Sequence, residues 1–321
     1  MKDHKLMLFA GNANPELARK IGRYLGTAIS KSDVSRFPEG EVSVKIEKPV
    51  RGGDVFLIQG TSPPPNENLM ELLVMIDALK RASAVRITAV LPFYGYGRQD
   101  RKDRPRVPIT AKLVANLITA AGADRLVTID LHAPQIQGFF DIPVDHLYAA
   151  PVFIKHISRI FPARKRTGLV VVSPDVGGIK IANHFAKHLD CPLAVVDKRR
   201  LGDRKTEVRN VIGNVKGKPI LIIDDLISTG TSLVAAINTL KKMGAGEIQA
   251  AVTHAILADD AVEKIGKAPL KNLWVTDTVP LRDKARGVPW IKVLSVSELL
   301  GEAIKRIHEN TPISILFDHQ E

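Results

Sequence analysis

The chain has 321 residues, 45% hydrophobic and 25% charged, an ordinary globular composition with enough length for two domains. Its longest apolar stretches are strand-sized, "MKDHKLMLFAGNANP" lacks the apolar run of a secretory signal, and Cys191 is the single cysteine; these exclude a membrane span and an internal disulfide framework and fit a cytoplasmic protein. The net charge of +12 calls for an anionic partner, but aromatics are only 5% and there is no RNA-binding aromatic motif, zinc spacing or long basic tail, so small polyphosphates explain the charge as well as nucleic acid does.

In chain order, "RFPEGEVSVKI" (36–46) reads as a hairpin with Pro38-Glu39-Gly40 as its turn. "DVFLIQG" (54–60) is a continuous apolar run, as expected of a parallel strand covered on both faces. "NENLMELLVMIDALKRA" (66–82) follows with apolar residues at helical spacing. Further strands are expected at "VRITAVLPF" (85–93), "DRLVTIDLH" (124–132), "GLVVVSPD" (168–175), "LAVVDK" (193–198) and "PILIIDD" (219–225), and a second clear helix at "TSLVAAINTLKKMG" (231–244). Strands alternating with helices predict βαβ units and a mostly parallel sheet. The halves also resemble each other: at one offset Leu72 meets Leu233, Ile76 meets Ile237, Leu79 meets Leu240 and Ile87 meets Ile248. A duplicated α/β domain is expected, with 1–149 as one copy, 150–303 as the other, and the tail 304–321 joining the first. The basic stretch "FPARKRTG" (161–168) reads as a surface loop of the second copy.

"LIIDDLISTGTS" (221–232) is the most specific stretch. Thr229, Gly230, Thr231 and Ser232 offer hydroxyls and backbone N–H groups at the start of a helix, where dipole and unpaired donors favour an anion. "VVSPDVGG" (171–178) is another strand ending in a glycine turn, with Asp175 able to hold Mg²⁺ directly or through water. "TIDLHAPQIQGFF" (128–140) sets His132 just beyond a strand, a second candidate for metal or metal-bound water beside Asp175. "VVDKRRLGDRKTEVRN" (195–210) is rich in Lys and Arg without apolar periodicity, so it reads as a solvated loop or a cationic lid of the kind phosphoryl transfer uses.

A strand followed by Asp-Asp-x-x-x-Thr-Gly resembles the phosphoribosyl pyrophosphate motif of the type I phosphoribosyltransferase fold. That resemblance implies that Asp224 and Asp225 grip ribose hydroxyls while Ser228, Thr229, Gly230, Thr231 and Ser232 hold the 5-phosphate. Taken together, "FPEGEVSV", "RQDR", "TIDLHAPQIQGFF", "VVSPDVGG", "VVDKRR", "DDLISTGTS" and "ISILFDH" run in the order of the ribose-phosphate pyrophosphokinases, and the chain is similar to their phosphate-activated, ADP-inhibited class. The resemblance implies two tandem phosphoribosyltransferase type I-like domains, each a mostly parallel sheet flanked by helices. It implies diphosphoryl transfer from ATP to ribose 5-phosphate, with two Mg²⁺ ions, phosphate as activator, and a homohexamer binding neither nucleic acid nor membrane. Site roles follow from the same resemblance: Phe37, Glu39 and Glu41 for adenine, completing a neighbour's site, and Arg98, Gln99 and Asp100 for ATP. Asp175, Val176, Gly177 and Gly178 form the pyrophosphate loop, Lys198 and Arg200 are the transition-state cations, and Ser314 and Phe317 serve regulation at subunit interfaces. The chain departs from the family pattern at Glu39, Asn183, Ser228 and Thr231. A nucleobase phosphoribosyltransferase and a non-catalytic homologue are the rival readings; the duplicated chain and "RQDR" weigh against the first, and the intact acidic and cationic pairs against the second.

Overall fold

A computed structural model of the chain describes residues 4–162, 168–200 and 206–316. Within 163–167 and 201–205 lie parts of the two basic stretches, and Phe317 likewise falls outside the described residues. The chain divides into two compact units: Met1–Tyr148 with Thr278–Pro280 and Ser295–His319, and the intervening residues with the last two.

Unit 1 begins with β1 (Leu6–Ala10), α1 (Pro15–Leu25), an antiparallel pair β2 (Ser32–Arg36) and β3 (Val42–Ile46), β4 (Asp54–Ile58) and α2 (Pro65–Arg81). It continues with β5 (Arg86–Leu91), α3 (Thr110–Ala121), β6 (Arg125–Ile129) and β7 (Val144–Leu147). Its sheet runs β1-β4-β5-β6-β7, all parallel. Every residue of β4 is buried, which is why its sequence is unbroken apolar after Asp54. Leu72, Met75, Ile76 and Leu79 of α2 seal one face together with Phe9, Leu57 and Ala89.

Unit 2 comprises α4 (Ala150–Ile160), β8 (Val170–Ser173), α5 (Ile179–Leu189), β9 (Leu193–Arg200), β10 (Thr206–Ile212), β11 (Ile220–Ile227) and α6 (Thr231–Lys242). Then follow β12 (Ile248–Ala255), α7 (Ala261–Gly266), β13 (Leu273–Thr276) and β14 (Ile291–Leu294). The order is β10-β9-β8-β11-β12-β13-β14, parallel except for the edge strand β10. The duplication expected from the sequence is present in this topology: β8-β11-β12-β13-β14 repeats β1-β4-β5-β6-β7, and the antiparallel pair β9–β10 follows α5 as β2–β3 follows α1. Registers match too, since Val55 pairs with Ile87 and Ile220 with Ile248. One expectation is corrected. Residues 199–200 and 206–210 are not loop but the ends of a strand pair, because an edge ladder forms through backbone bonds and needs no apolar pattern.

Unit 1 is completed by α8 (Ser297–His308), which packs against α1. Tyr24 donates to Glu302 at 3.0 Å, and Gly301 is required beneath that ring because a Cβ there would lie 2.3 Å from Tyr24 Cδ1. Buried Asp54 accepts both nitrogens of the Arg86 fork at 2.8 and 2.6 Å and sits 2.8 Å from His308 Nδ1; Arg86 also donates to the Ile307 carbonyl. Among the described residues no helix is long and apolar enough to cross a membrane.

Candidate active site

Asp224 and Asp225 lie within the last turn-ward residues of β11, the strand between β8 and β12. Both are half-buried, and the Asp225 backbone N–H donates to Asp224 Oδ1 at 3.0 Å. Burial holds the Asp224 pKa well above its ordinary value of 3.8, and the carboxylates of Asp225 and Asp175 push the same way. Such a pair is acceptor-rich and short of donors, which suits the vicinal hydroxyls of a sugar.

Beyond β11 the chain turns through Ser228 and Thr229 to Gly230, the N-cap of α6. Gly230 has φ 74, and no side chain caps the helix start. Thr231 and Ser232 are exposed, with the Thr229 and Thr231 hydroxyls 3.1 Å apart. An N-terminus of this kind presents backbone N–H groups and a positive dipole end to an anion. A Cβ at Gly230 would meet Ile265 Cγ1 at 3.0 Å in a backbone region costly to other residues. Gly230→Ala is therefore expected to lower the unfolding free energy by about 1–2 kcal/mol, read as a lower urea midpoint at unchanged slope. An unmoved midpoint would show that the turn relaxes freely.

The Asp175–Gly178 loop rises from the end of β8. Ser173 donates its hydroxyl to the Asp175 carbonyl at 2.6 Å, and Gly178 N–H donates to Asp175 Oδ1 at 3.1 Å. A side chain at Gly178 would meet Ser173 Oγ at 2.9 Å, so the tight loop demands glycine there. Asp175, Val176 and Gly177 are exposed, with backbone open to a ligand. Lys198 and Arg200 stand two positions apart in β9, beside β8, paired with Val208 and Thr206.

Within unit 1, Phe37 to Gly40 form the tip of the β2–β3 hairpin, as the sequence predicts. Phe37 N–H donates to the Glu41 carbonyl at 2.9 Å and Gly40 N–H to the Phe37 carbonyl at 2.8 Å. Phe37 is 50% exposed, a cost for a bare aromatic ring that a stacking partner would remove. Arg98, Gln99 and Asp100 lie in the loop between β5 and α3, and the Gln99 carbonyl accepts from Ala111 N–H at 3.2 Å. Asp100 accepts from Gln135 at 3.1 Å, so "RQDR" and "DLHAPQIQ" meet at one end of the sheet. His132 is exposed on that second stretch. Buried His146 supports it from β7 by accepting the Leu131 N–H at 2.9 Å. Sequence reasoning did not single out Gln135, although it lies within "DLHAPQIQ", and missed His146, which carries no motif.

Among the described residues, no three His, Cys, Asp or Glu side chains converge to hold a metal by themselves. Exposed Asp175 offers a carboxylate of the kind Mg²⁺ takes alongside waters and phosphate oxygens.

The site thus consists of a duplicated parallel sheet whose central strand carries an acidic pair in its second half, followed by an uncapped, hydroxyl-rich helix start. Residues 6–122 match the N-terminal domain of ribose phosphate pyrophosphokinase, and residues 200–318 match the phosphoribosyl synthetase-associated domain. The ribose-phosphate pyrophosphokinase of Chlorobaculum tepidum is 52% identical over 313 residues, 98% of this chain and 95% of its own. That of Campylobacter jejuni is 50% identical over 317 residues, 99% and 100% of the two chains. The crystal structure of phosphoribosylpyrophosphate synthetase from Mycobacterium smegmatis superimposes with a TM-score of 0.89 at 43% identity, covering 95% of this chain and 99% of that one. The chain belongs to the ribose-phosphate pyrophosphokinase family, a family of enzymes.

Proposed function

We propose that the chain transfers the β,γ-diphosphoryl group of ATP to the C1 hydroxyl of ribose 5-phosphate, giving 5-phosphoribosyl 1-pyrophosphate and AMP. The observation that carries this is the juxtaposition on β11 and α6: two carboxylates that accept from sugar hydroxyls, then a helix start that takes the 5-phosphate. Fixed at both ends, the sugar presents O1 to the β-phosphorus for in-line attack. The O1–Pβ bond forms, the bond from Pβ to the oxygen bridging the α-phosphate breaks, AMP leaves with that oxygen, and the C1 hydroxyl proton is released.

The glycine loop 175–178, exposed at 175–177, takes the diphosphoryl oxygens on its open backbone N–H groups. Phe37 stacks on adenine, Glu39 and Glu41 read its polar edge, and Arg98, Gln99 and Asp100 bind the rest of ATP. Lys198 and Arg200 meet the charge that spreads over the transferring group. Asp175 would hold Mg²⁺ directly or through water, where it would neutralise phosphate charge, and His132 is a separate candidate for such a contact. Family membership supports the remainder of the reading: activation by inorganic phosphate, inhibition by ADP, a homohexamer and a cytoplasmic location. Ser314 lies in a short 3-10 turn after α8, where an interface role is to be tested.

Following AMP from ATP, with and without ribose 5-phosphate and Mg²⁺, tests the assignment. AMP is expected only when sugar and metal are both present. ADP as product, or turnover independent of the sugar, would overturn it, and base-dependent release of pyrophosphate from phosphoribosyl pyrophosphate would favour a nucleobase phosphoribosyltransferase.

A further inference from the structure

The duplication gives unit 1 a counterpart of the phosphoribosyl site, with its chemistry inverted. Because the β4–β5 and β11–β12 registers match, Gln59 and Gly60 occupy the places of Asp224 and Asp225. The turn Gly11-Asn12-Ala13 after β1 has the place of the glycine loop after β8. Into this corner α2 sends Glu71, which is 3% exposed. Glu71 Oε1 accepts the Asn12 backbone N–H at 2.6 Å and the Gln59 side-chain amide at 2.9 Å, while Oε2 accepts the Asn12 side-chain amide at 3.1 Å. Gln59 in turn accepts from Ala13 N–H at 3.1 Å and donates to the Asn68 carbonyl at 3.3 Å. A carboxylate that takes backbone N–H from a strand-to-helix turn does what a ligand's anionic group does in such a turn. The corner is full: a Cβ on Gly11 would lie 2.4 Å from Gln59 Oε1 and 2.6 Å from Glu71 Oε1.

This network reaches outward. Asn12 Nδ2 also donates to the Val34 carbonyl of β2 at 3.1 Å, so both of its amide hydrogens are used. Among the described residues β2 and β3 pair only with each other, and Val34, Val44 and Ile46 rest on the core that α2 helps build. Asn12 is thus the polar tie between a buried anion and the hairpin whose tip carries Phe37, Glu39 and Glu41.

We propose that Glu71 is the internal anion of unit 1 and, through Asn12, the positioning residue for the nucleotide hairpin. The nucleotide part rests on the assignment of Phe37, Glu39 and Glu41 given above. Asn12 is exposed, so Asn12→Ala removes the tie without excavating the core. Glu71→Gln keeps one acceptor oxygen but turns an amide nitrogen toward another donor. Both variants are expected to raise the KM for ATP roughly three- to tenfold while the KM for ribose 5-phosphate moves less than about twofold. Amide hydrogen exchange across 32–46 should quicken in Asn12→Ala and stay unchanged in β5 and β6. An equal rise in both KM values, or unchanged exchange in the hairpin, would overturn the proposal. The exchange readout needs no turnover, so a wild-type chain that makes no AMP would sink the functional assignment while leaving the tie itself to be judged.

Discussion

Lys198→Ala is expected to lower kcat by roughly 10²–10³-fold and to leave ribose 5-phosphate binding nearly intact. Lys198 lies in β9, next to β8, whose end carries the glycine loop, while the proposed sugar site belongs to β11 and α6 on the other side of β8. A cation beside the transferring group meets charge that spreads only as the phosphorus–oxygen bond opens, so its loss is felt in the barrier and little in the ground state. Calorimetric binding of ribose 5-phosphate, set beside single-turnover rates, separates the two cases. If binding weakens as much as turnover, Lys198 is a ground-state binder and the assignment of the transition-state charge fails.

Asp224→Asn is expected to cost function while strengthening the fold. Charge-assisted hydrogen bonds to sugar hydroxyls are lost, and the KM for ribose 5-phosphate rises by about one to two orders of magnitude. The stability effect has the opposite sign. Folding raises the Asp224 pKa, so the ionised carboxylate weakens the folded chain. That weakening is absent below the ordinary carboxylate range, grows as pH rises from there toward the raised value, and is complete above it. The ligand-free Asn variant therefore melts higher than wild type at pH 8, by about 2–4 °C for each kcal/mol relieved, and the gap closes near about pH 4. A lower melting temperature at pH 8 would mean that Asp224 has a stabilising partner in the apo protein.

How far the sequence foretold all this depended on burial. β4, β8 and the first half of β11 (Ile220–Ile223) are buried, and their apolar runs made them legible. β12 is just as buried, yet it reads "IQAAVTHA": Gln249, Thr253 and His254 break the run. Gln249 is satisfied by Asn272 at 3.0 Å, and the Thr253 carbonyl by Thr276 at 2.8 Å, pairings that no local pattern announces. The acidic pair and the turn after it were visible because several unusual residues are contiguous. Glu71 was not, although a signal existed. It stands one residue before Leu72 on the face that buries Met75, Ile76 and Leu79, an odd place for a carboxylate unless donors wait for it. Those donors come from Asn12 and Gln59, 59 and 12 residues away. His146 is of the same kind, since it supports Leu131 across 15 residues.

The packing of α8 on α1 has a consequence for how the chain is made. Leu17, Ala18 and Ile21 of α1 are buried in the finished protein, and α8 contributes Leu300, Ala303, Ile304 and Ile307 to the same unit. Between the two helices the ribosome must deliver nearly all of unit 2, residues 149–294. At about 5–20 residues per second those residues alone take roughly 7–30 s, during which α1 lacks its α8 partner. The nascent chain thus carries α1 without its α8 partner throughout the synthesis of unit 2, so this helix pair closes only after the last strand of that unit has been made.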